Sequence, residues 1–207
     1  MPIPWYCTSS ERFFYELLKY SMKESEISII EGESDSEFVY RTLQKSQYPY
    51  IIVSNGDFTV KPGIFKNLKL HIDASVTMGF LQEDGQLTST FMLLKVCPEV
   101  IEFWGSLKQI NINDAIKEYT GKWLLLDNQL FTTSDTWNMA KPYLVMKFKT
   151  SGLGTQMDFA EKIFNAAQNL DIEPVMKYVP DEIIPFIYKF QELLYLSHQE
   201  VKSAGIS

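Results

Sequence analysis

The chain reads as an α+β protein: a twisted antiparallel sheet built from hairpins, with helices packed on it and a C-terminal helical part. Three observations lead there. From Leu68 to Phe80, apolar Leu68, Leu70, Ile72, Ala74, Val76, Met78 and Phe80 alternate with Lys69, His71, Asp73, Ser75, Thr77 and Gly79, the period of a strand with one buried face. Turn chemistry recurs between apolar runs, at Ser54-Asn55-Gly56-Asp57, Glu83-Asp84-Gly85 and Asp127-Asn128, where Asn and Gly accept the positive φ that tight hairpins demand. Helical spacing takes over after Thr155. The expected division is a sheet domain, residues 1–154, and a C-terminal helical subdomain, residues 155–207, packed on it as one unit.

In chain order, Met1 to Cys7 is an extended lead-in broken by prolines, with Trp5 and Tyr6 covering part of the core. It is no signal peptide, since no basic start precedes an apolar run. Thr8 and Glu11 fit a capping box, and Phe13, Phe14, Leu17, Leu18 and Met22 give a helix to about Lys23. Ile27 to Ile30 is a short strand. A second helix runs from about Asp35 to Lys45, and Pro49 stops it. Tyr50 to Val60 folds on Asn55-Gly56 as a hairpin.

The long hairpin of residues 67–96 follows as the spine of the sheet. Its register forks. A two-residue Asp84-Gly85 turn pairs Met78 with Phe91, whereas a three-residue loop pairs Val76 with Met92. A slip of one residue exchanges the faces. The loop is favoured because Gly85 then takes the left-handed position; Val76 and Ile72 are expected buried, Lys69 and Thr77 exposed.

Pro98 opens another helix, which buries Val100, Ile101, Trp104 and Leu107. Asn111 or Asn113 caps a shorter one, with Ala115, Ile116 and Tyr119 inward. Lys122 to Thr133 reads as a third hairpin, and Tyr143 to Lys149 as a further strand. Two helices close the chain, one from Thr155 and one from Asp181 to about Gln199, with apolar residues on nearly every face of the last.

Composition narrows the function. The 207 residues carry a net charge of −7, and six acids without one base lie between Glu24 and Glu37. That charge argues against a nucleic-acid surface, which needs a basic patch. No apolar run is long enough to span a membrane. The two cysteines, Cys7 and Cys97, read as free thiols of a cytoplasmic protein. His71 and His198 have no metal-ligand spacing around them. His71, Asp73 and Ser75 share a strand face without forming a triad, and Ser151-Gly152-Leu153-Gly154 lacks the lysine of a phosphate loop. No metal or cofactor is expected.

Ile29 to Phe38, IIEGESDSEF, is an apolar strand ending in Glu-Gly before a helix that opens with Asp. It resembles the start of a Toprim domain. The resemblance implies that Glu31 would work with a later Asp-x-Asp pair to hold magnesium for phosphodiester chemistry. The sequence offers only Asp73-Ala74-Ser75 there, without the second aspartate, and a capping box of Ser34 and Glu37 accounts for the same letters.

The expected function is a non-enzymatic cytosolic protein-binding module, such as a viral accessory protein or an inhibitor or immunity protein acting on a basic partner. Glu31, Glu33 and Asp35 would steer that partner, and Tyr188 and Tyr195 of the last helix would hold it or a second copy of the chain. The alternatives are a Toprim-like metal-dependent nucleic-acid enzyme and a small-ligand-binding protein.

Overall fold

The computed structural model describes residues 4–8, 12–21, 28–31, 36–55, 58–60, 76–83, 86–107, 112–126, 131–133, 145–148, 150 and 152–203. The chain opens with three strands separated by two helices: β1 (Pro4–Thr8), α1 (Arg12–Ser21), β2 (Ser28–Glu31), α2 (Ser36–Lys45) and β3 (Tyr50–Asn55). Then come β4 (Phe58–Val60), β5 (Met78–Glu83), β6 (Gln86–Lys95), α3 (Pro98–Ser106), α4 (Ile112–Glu118), β7 (Trp123–Leu125), β8 (Phe131–Thr133) and β9 (Val145–Lys147). Helices α5 (Thr155–Asn169) and α6 (Ile184–Ser203) end the chain, with the 3-10 helices Glu173–Tyr178 and Asp181–Ile183 between them.

The large sheet has six strands in the order β2-β1-β3-β6-β5-β7. β1 runs parallel to both β2 and β3. β6 is antiparallel to β3 and to β5, and β5 is parallel to β7. Five strands therefore point one way and β6 alone opposes them. This corrects the antiparallel sheet that the sequence predicts: the sheet is mixed. A parallel pair needs a crossover, and α1 and α2 supply two of them. The lead-in is not peripheral but an interior strand, paired on both sides. Trp5 and Cys7 are fully buried, and Pro4 sits at the strand's first residue, where its missing N–H is tolerated.

Of the three hairpins expected, only β5–β6 forms. β4 joins a separate three-stranded sheet, order β4-β9-β8, antiparallel to β9, so Asn55-Gly56 carries the chain from one sheet to the other. β7 and β8 likewise belong to different sheets. Turn chemistry permits a reversal; it does not choose the strand's partner.

The spine register follows neither expectation throughout. Glu83 pairs with Gln86, Gln82 with Leu87 and Leu81 with Thr88, as for the two-residue turn and against the favoured three-residue loop. A bulge between Phe80 and Leu81 then carries Phe80 to Met92 and Met78 to Leu94. Thr77 is buried while Val76 is half-buried, the reverse of the expected faces. Thr77 is held by polar partners. Its N–H donates to the Lys122 carbonyl at 2.9 Å and its carbonyl accepts from the Lys95 N–H at 2.9 Å. Its hydroxyl reaches the Lys122 carbonyl at 2.8 Å and the Tyr119 hydroxyl. Ile72 and Lys69 lie outside the described residues.

One face of the sheet, with Ile51, Val53, Phe80, Met92 and Leu94, packs against Val39 and Leu43 of α2, Val100 and Trp104 of α3, and Ala115 and Ile116 of α4. On the other face Trp5 meets Phe91 edge-on at 5.2 Å, and Phe91 meets Phe58 of β4 at 5.9 Å. A second core on that side joins Phe13, Phe14 and Leu17 of α1 to Phe148 and to Phe159 and Ile163 of α5. The last helix, apolar on nearly every face, is buried on only part of it: Phe190 is buried, while Tyr188, Leu193, Tyr195 and Leu196 are exposed. Among the described residues no helix is long and apolar enough to cross a membrane.

Candidate functional site

Where neighbouring parallel strands send their connections in opposite directions, a crevice opens outside their carboxyl ends, and ligands bind there in open α/β sheets. Here that point lies between β1 and β3. The chain leaves β1 through α1 for β2 on one side, and returns through α2 to β3 on the other. Register sets the rim: Thr8 lies beside Asn55 and Cys7 beside Ser54, while Glu31 ends β2 beside Cys7. The N-terminus of α1, at Arg12, follows β1 after three residues. The positive dipole end of a helix suits a phosphate.

Beneath the ends of β1 and β3 lies a buried polar chain. The Trp5 indole N–H donates to Ser54 Oγ at 2.7 Å. Ser54 Oγ donates to the Asn55 carbonyl at 2.8 Å, and the Cys7 thiol donates to the same carbonyl at 3.7 Å. Ser54 is 1% exposed and Trp5 and Cys7 fully buried, so their polar atoms are satisfied within the protein rather than by bulk water. Asn55, half-buried at the end of β3, adds an amide that both donates and accepts. A polyhydroxylated or phosphorylated ligand needs groups of this kind. Arg12 does not serve the rim: it is paired with Glu16 and lies over Tyr15, 4.9 Å from the ring centre.

Away from the crevice, an open groove of about 330 Å³ runs along α2, lined by Tyr6, Phe38, Arg41, Thr42 and Lys45. Burial, then the nearby Tyr48, raises the Tyr6 pKa above its usual value. At the opposite edge of the sheet, Tyr119 donates to Glu99 at 2.9 Å. Burial above all pushes its pKa up to about 12; Thr77 opposes the rise and Glu99 adds to it.

The residues expected to bind a partner are dispersed. Glu31 is on the rim of the crevice, at the edge strand of the sheet. Glu33 and Asp35 lie outside the described residues. Tyr188 and Tyr195 are 67% and 64% exposed, on a helix that packs on α5. His71, Asp73 and Ser75 also lie outside the described residues, as does the His198 side chain. Among the described residues no three His, Cys, Asp or Glu side chains come together as a metal site. Sequence reasoning passed over Trp5, Cys7, Ser54 and Asn55. The signal that could have found them is the strand–helix–strand–helix–strand order of residues 4–55, a mononucleotide-binding pattern.

No family model matches the sequence, and no curated protein matches it. Solved structures do match. A glycosyltransferase involved in the glycosylation of the major capsid of PBCV-1 superposes with a TM-score of 0.54 at 14% identity, covering 80% of this chain and all of that one. The glycosyltransferase GlyE of Streptococcus pneumoniae TIGR4 gives 0.55 at 6% identity, over 86% of this chain and 63% of its own. The bifunctional glycosyltransferase WbbM gives 0.51 at 9%, over 86% of this chain and 51% of its own. At such identities the likeness is one of fold, a Rossmann-like mixed sheet shared with glycosyltransferases. It overturns the expected non-enzymatic protein-binding module acting on a basic partner. That expectation rested on the charge of the acidic segment and on the apolar composition of the last helix, neither of which carries information about how the strands pair. The Toprim-like alternative has no support in these neighbours, which are enzymes of another kind.

Proposed function

We propose that the chain is a glycosyltransferase that binds a sugar joined to a nucleoside diphosphate in the crevice between β1 and β3. The observation that carries this reading is the switch point itself: β1 and β3 side by side, with α1 leading away from β1 to one side and α2 leading into β3 from the same neighbour β2, in a sheet whose fold is shared with glycosyltransferases. The diphosphate would lie against the N-terminus of α1. The Asn55 amide would hydrogen-bond the sugar or a phosphate oxygen.

In the transfer, the bond from the sugar's C1 to the diphosphate oxygen breaks and its electron pair leaves with the diphosphate. An acceptor hydroxyl oxygen forms the new bond to C1 and gives up its proton to the departing diphosphate. The crevice contributes by holding the two reactants in line, the kind of positioning that lowers a bimolecular barrier most. The sequence puts Asp57 between Asn55 and Phe58, two residues whose backbone is fixed in the two sheets. Asp57 is outside the described residues and is the first acid to substitute.

The test is a panel of nucleoside diphosphates and their sugar conjugates, with and without magnesium or manganese. At least one nucleotide should stabilise the protein, by about 2.7 kcal/mol at a hundredfold excess over its Kd. Its sugar conjugate should release nucleoside diphosphate, and Asn55→Ala and Asp57→Ala should each slow that release. A panel without any thermal shift at millimolar concentration, and without turnover, would sink the reading.

A further inference from the structure

Asn55 is held at the end of β3 by buried side chains of two strands. Its carbonyl accepts from both Ser54 Oγ and the Cys7 thiol, at 2.8 and 3.7 Å. Ser54 Oγ is itself oriented by the Trp5 indole N–H at 2.7 Å. Trp5 cannot shift, because its ring is fully buried and stacked edge-on against Phe91. Phe91 in turn packs on Phe58, the first residue after the two-residue link Gly56-Asp57. Both ends of that link are therefore anchored to one buried group: Asn55 through the hydroxyl and thiol, Phe58 through the aromatic ladder.

We infer that Ser54 is a positioning residue of the proposed transfer, acting through Asn55, with Trp5 holding the Ser54 hydroxyl in place. The inference rests on the glycosyltransferase reading for its catalytic consequence, but the clamp is a property of the fold. A strand that ends in an ordinary fashion frays, and its last carbonyl turns to water. Here the last carbonyl of β3 is spanned by two buried donors, so the strand end is held where the crevice begins. A binding group displaced by as little as an ångström loses much of its effect on rate.

The experiment compares the wild type with Ser54→Ala, Ser54→Thr and a control, Val39→Ala, whose side chain is buried on the opposite face of the sheet. Two readouts are taken on the full chain: amide hydrogen exchange over residues 50–60, and kcat and KM for nucleoside diphosphate release. Ser54→Ala is expected to speed exchange around Asn55 and Phe58 by about tenfold and to lower kcat more than it raises KM. Ser54→Thr, which keeps the hydroxyl, should recover both, and Val39→Ala should leave local exchange unchanged. Trp5→Phe keeps a ring against Phe91 but withdraws the donor, and should raise exchange less than Ser54→Ala. Unchanged exchange in Ser54→Ala overturns the clamp whether or not the chain transfers sugar. Faster exchange with kcat and KM both unchanged overturns the positioning role. If the wild type turns over no sugar nucleotide, the functional reading fails and exchange alone decides the clamp.

Discussion

Replacing Thr77 with Val removes one oxygen and keeps the shape, at a site that the alternating pattern assigns to solvent and the fold buries. Thr77 is 9% exposed. Its hydroxyl contacts the Lys122 carbonyl at 2.8 Å and the Tyr119 hydroxyl, and Tyr119 continues to Glu99 at 2.9 Å. Each such hydrogen bond is worth about 0.5–1.5 kcal/mol net. The Lys122 carbonyl keeps the Thr77 backbone N–H, and Tyr119 keeps Glu99, so neither is orphaned. The expected loss is about 1–2 kcal/mol, or roughly 2–8 °C in melting temperature for a chain of this size.

Tyr119→Phe and the double variant complete a cycle, with a coupling between the two sites of about 0.5–3 kcal/mol. The pH dependence has a definite sign. The Tyr119 pKa is raised to about 12 in the folded protein, against an ordinary value near 10. The stability it contributes is thus fully present below pH 10 and lost as the pH rises through about 12. The measurement is urea unfolding of the four proteins at pH 7 and near pH 11. The reasoning fails if Thr77→Val melts within half a degree of the wild type, or if the two single substitutions simply add.

Three further outcomes can be checked beside it. Gly79→Ala should cost about 1–3 kcal/mol, since a β-carbon there would stand 2.9 Å from Leu126 Cδ2 and 3.6 Å from Leu93 Cβ and Leu126 is fully buried; an unchanged urea midpoint would contradict the packing of β5 on β7. Tyr188→Ala and Tyr195→Ala, at exposed positions of α6, should each stay within about 0.5 kcal/mol of the wild type by calorimetry, and a loss several times larger would mean that these rings are covered in solution. Asn55→Ala should reduce nucleotide affinity by calorimetric titration while moving the melting temperature little, because the clamp on this residue engages its backbone carbonyl; a variant that unfolds but binds as well when folded would remove Asn55 from the site.

Most individual elements were legible in the amino-acid sequence. The helical spacing of Phe13, Phe14, Leu17 and Leu18, of Val100 and Trp104, and of Phe159 and Ile163 encodes helices that bury those residues, because the period of an apolar stripe is a local property of the chain. The strands at Ser28–Glu31 and Tyr50–Asn55 were equally readable, whereas the register at Glu83 to Gln86 was a fork in which the favoured three-residue loop proved wrong. Tertiary structure alone decided which strands lie side by side. Asn55-Gly56 has the chemistry of a hairpin turn, yet β3 finds its partners in β1 and β6, and β4 finds β9. Pairing is settled by whole-sheet burial, and a two-residue turn contributes too little to overrule it. The same holds for the lead-in: Pro4-Trp5-Tyr6-Cys7 is too short to show a period, and only burial between two parallel neighbours makes it an interior strand. Thr77 shows the limit at single-residue scale, since alternation assigns it to water whereas Tyr119 and the Lys122 carbonyl, more than forty positions away in the chain, make its burial favourable. The crevice belongs to the same class. Cys7, Ser54 and Asn55 carry no motif, and they become a site only when a mixed sheet sets the ends of β1 and β3 beside each other.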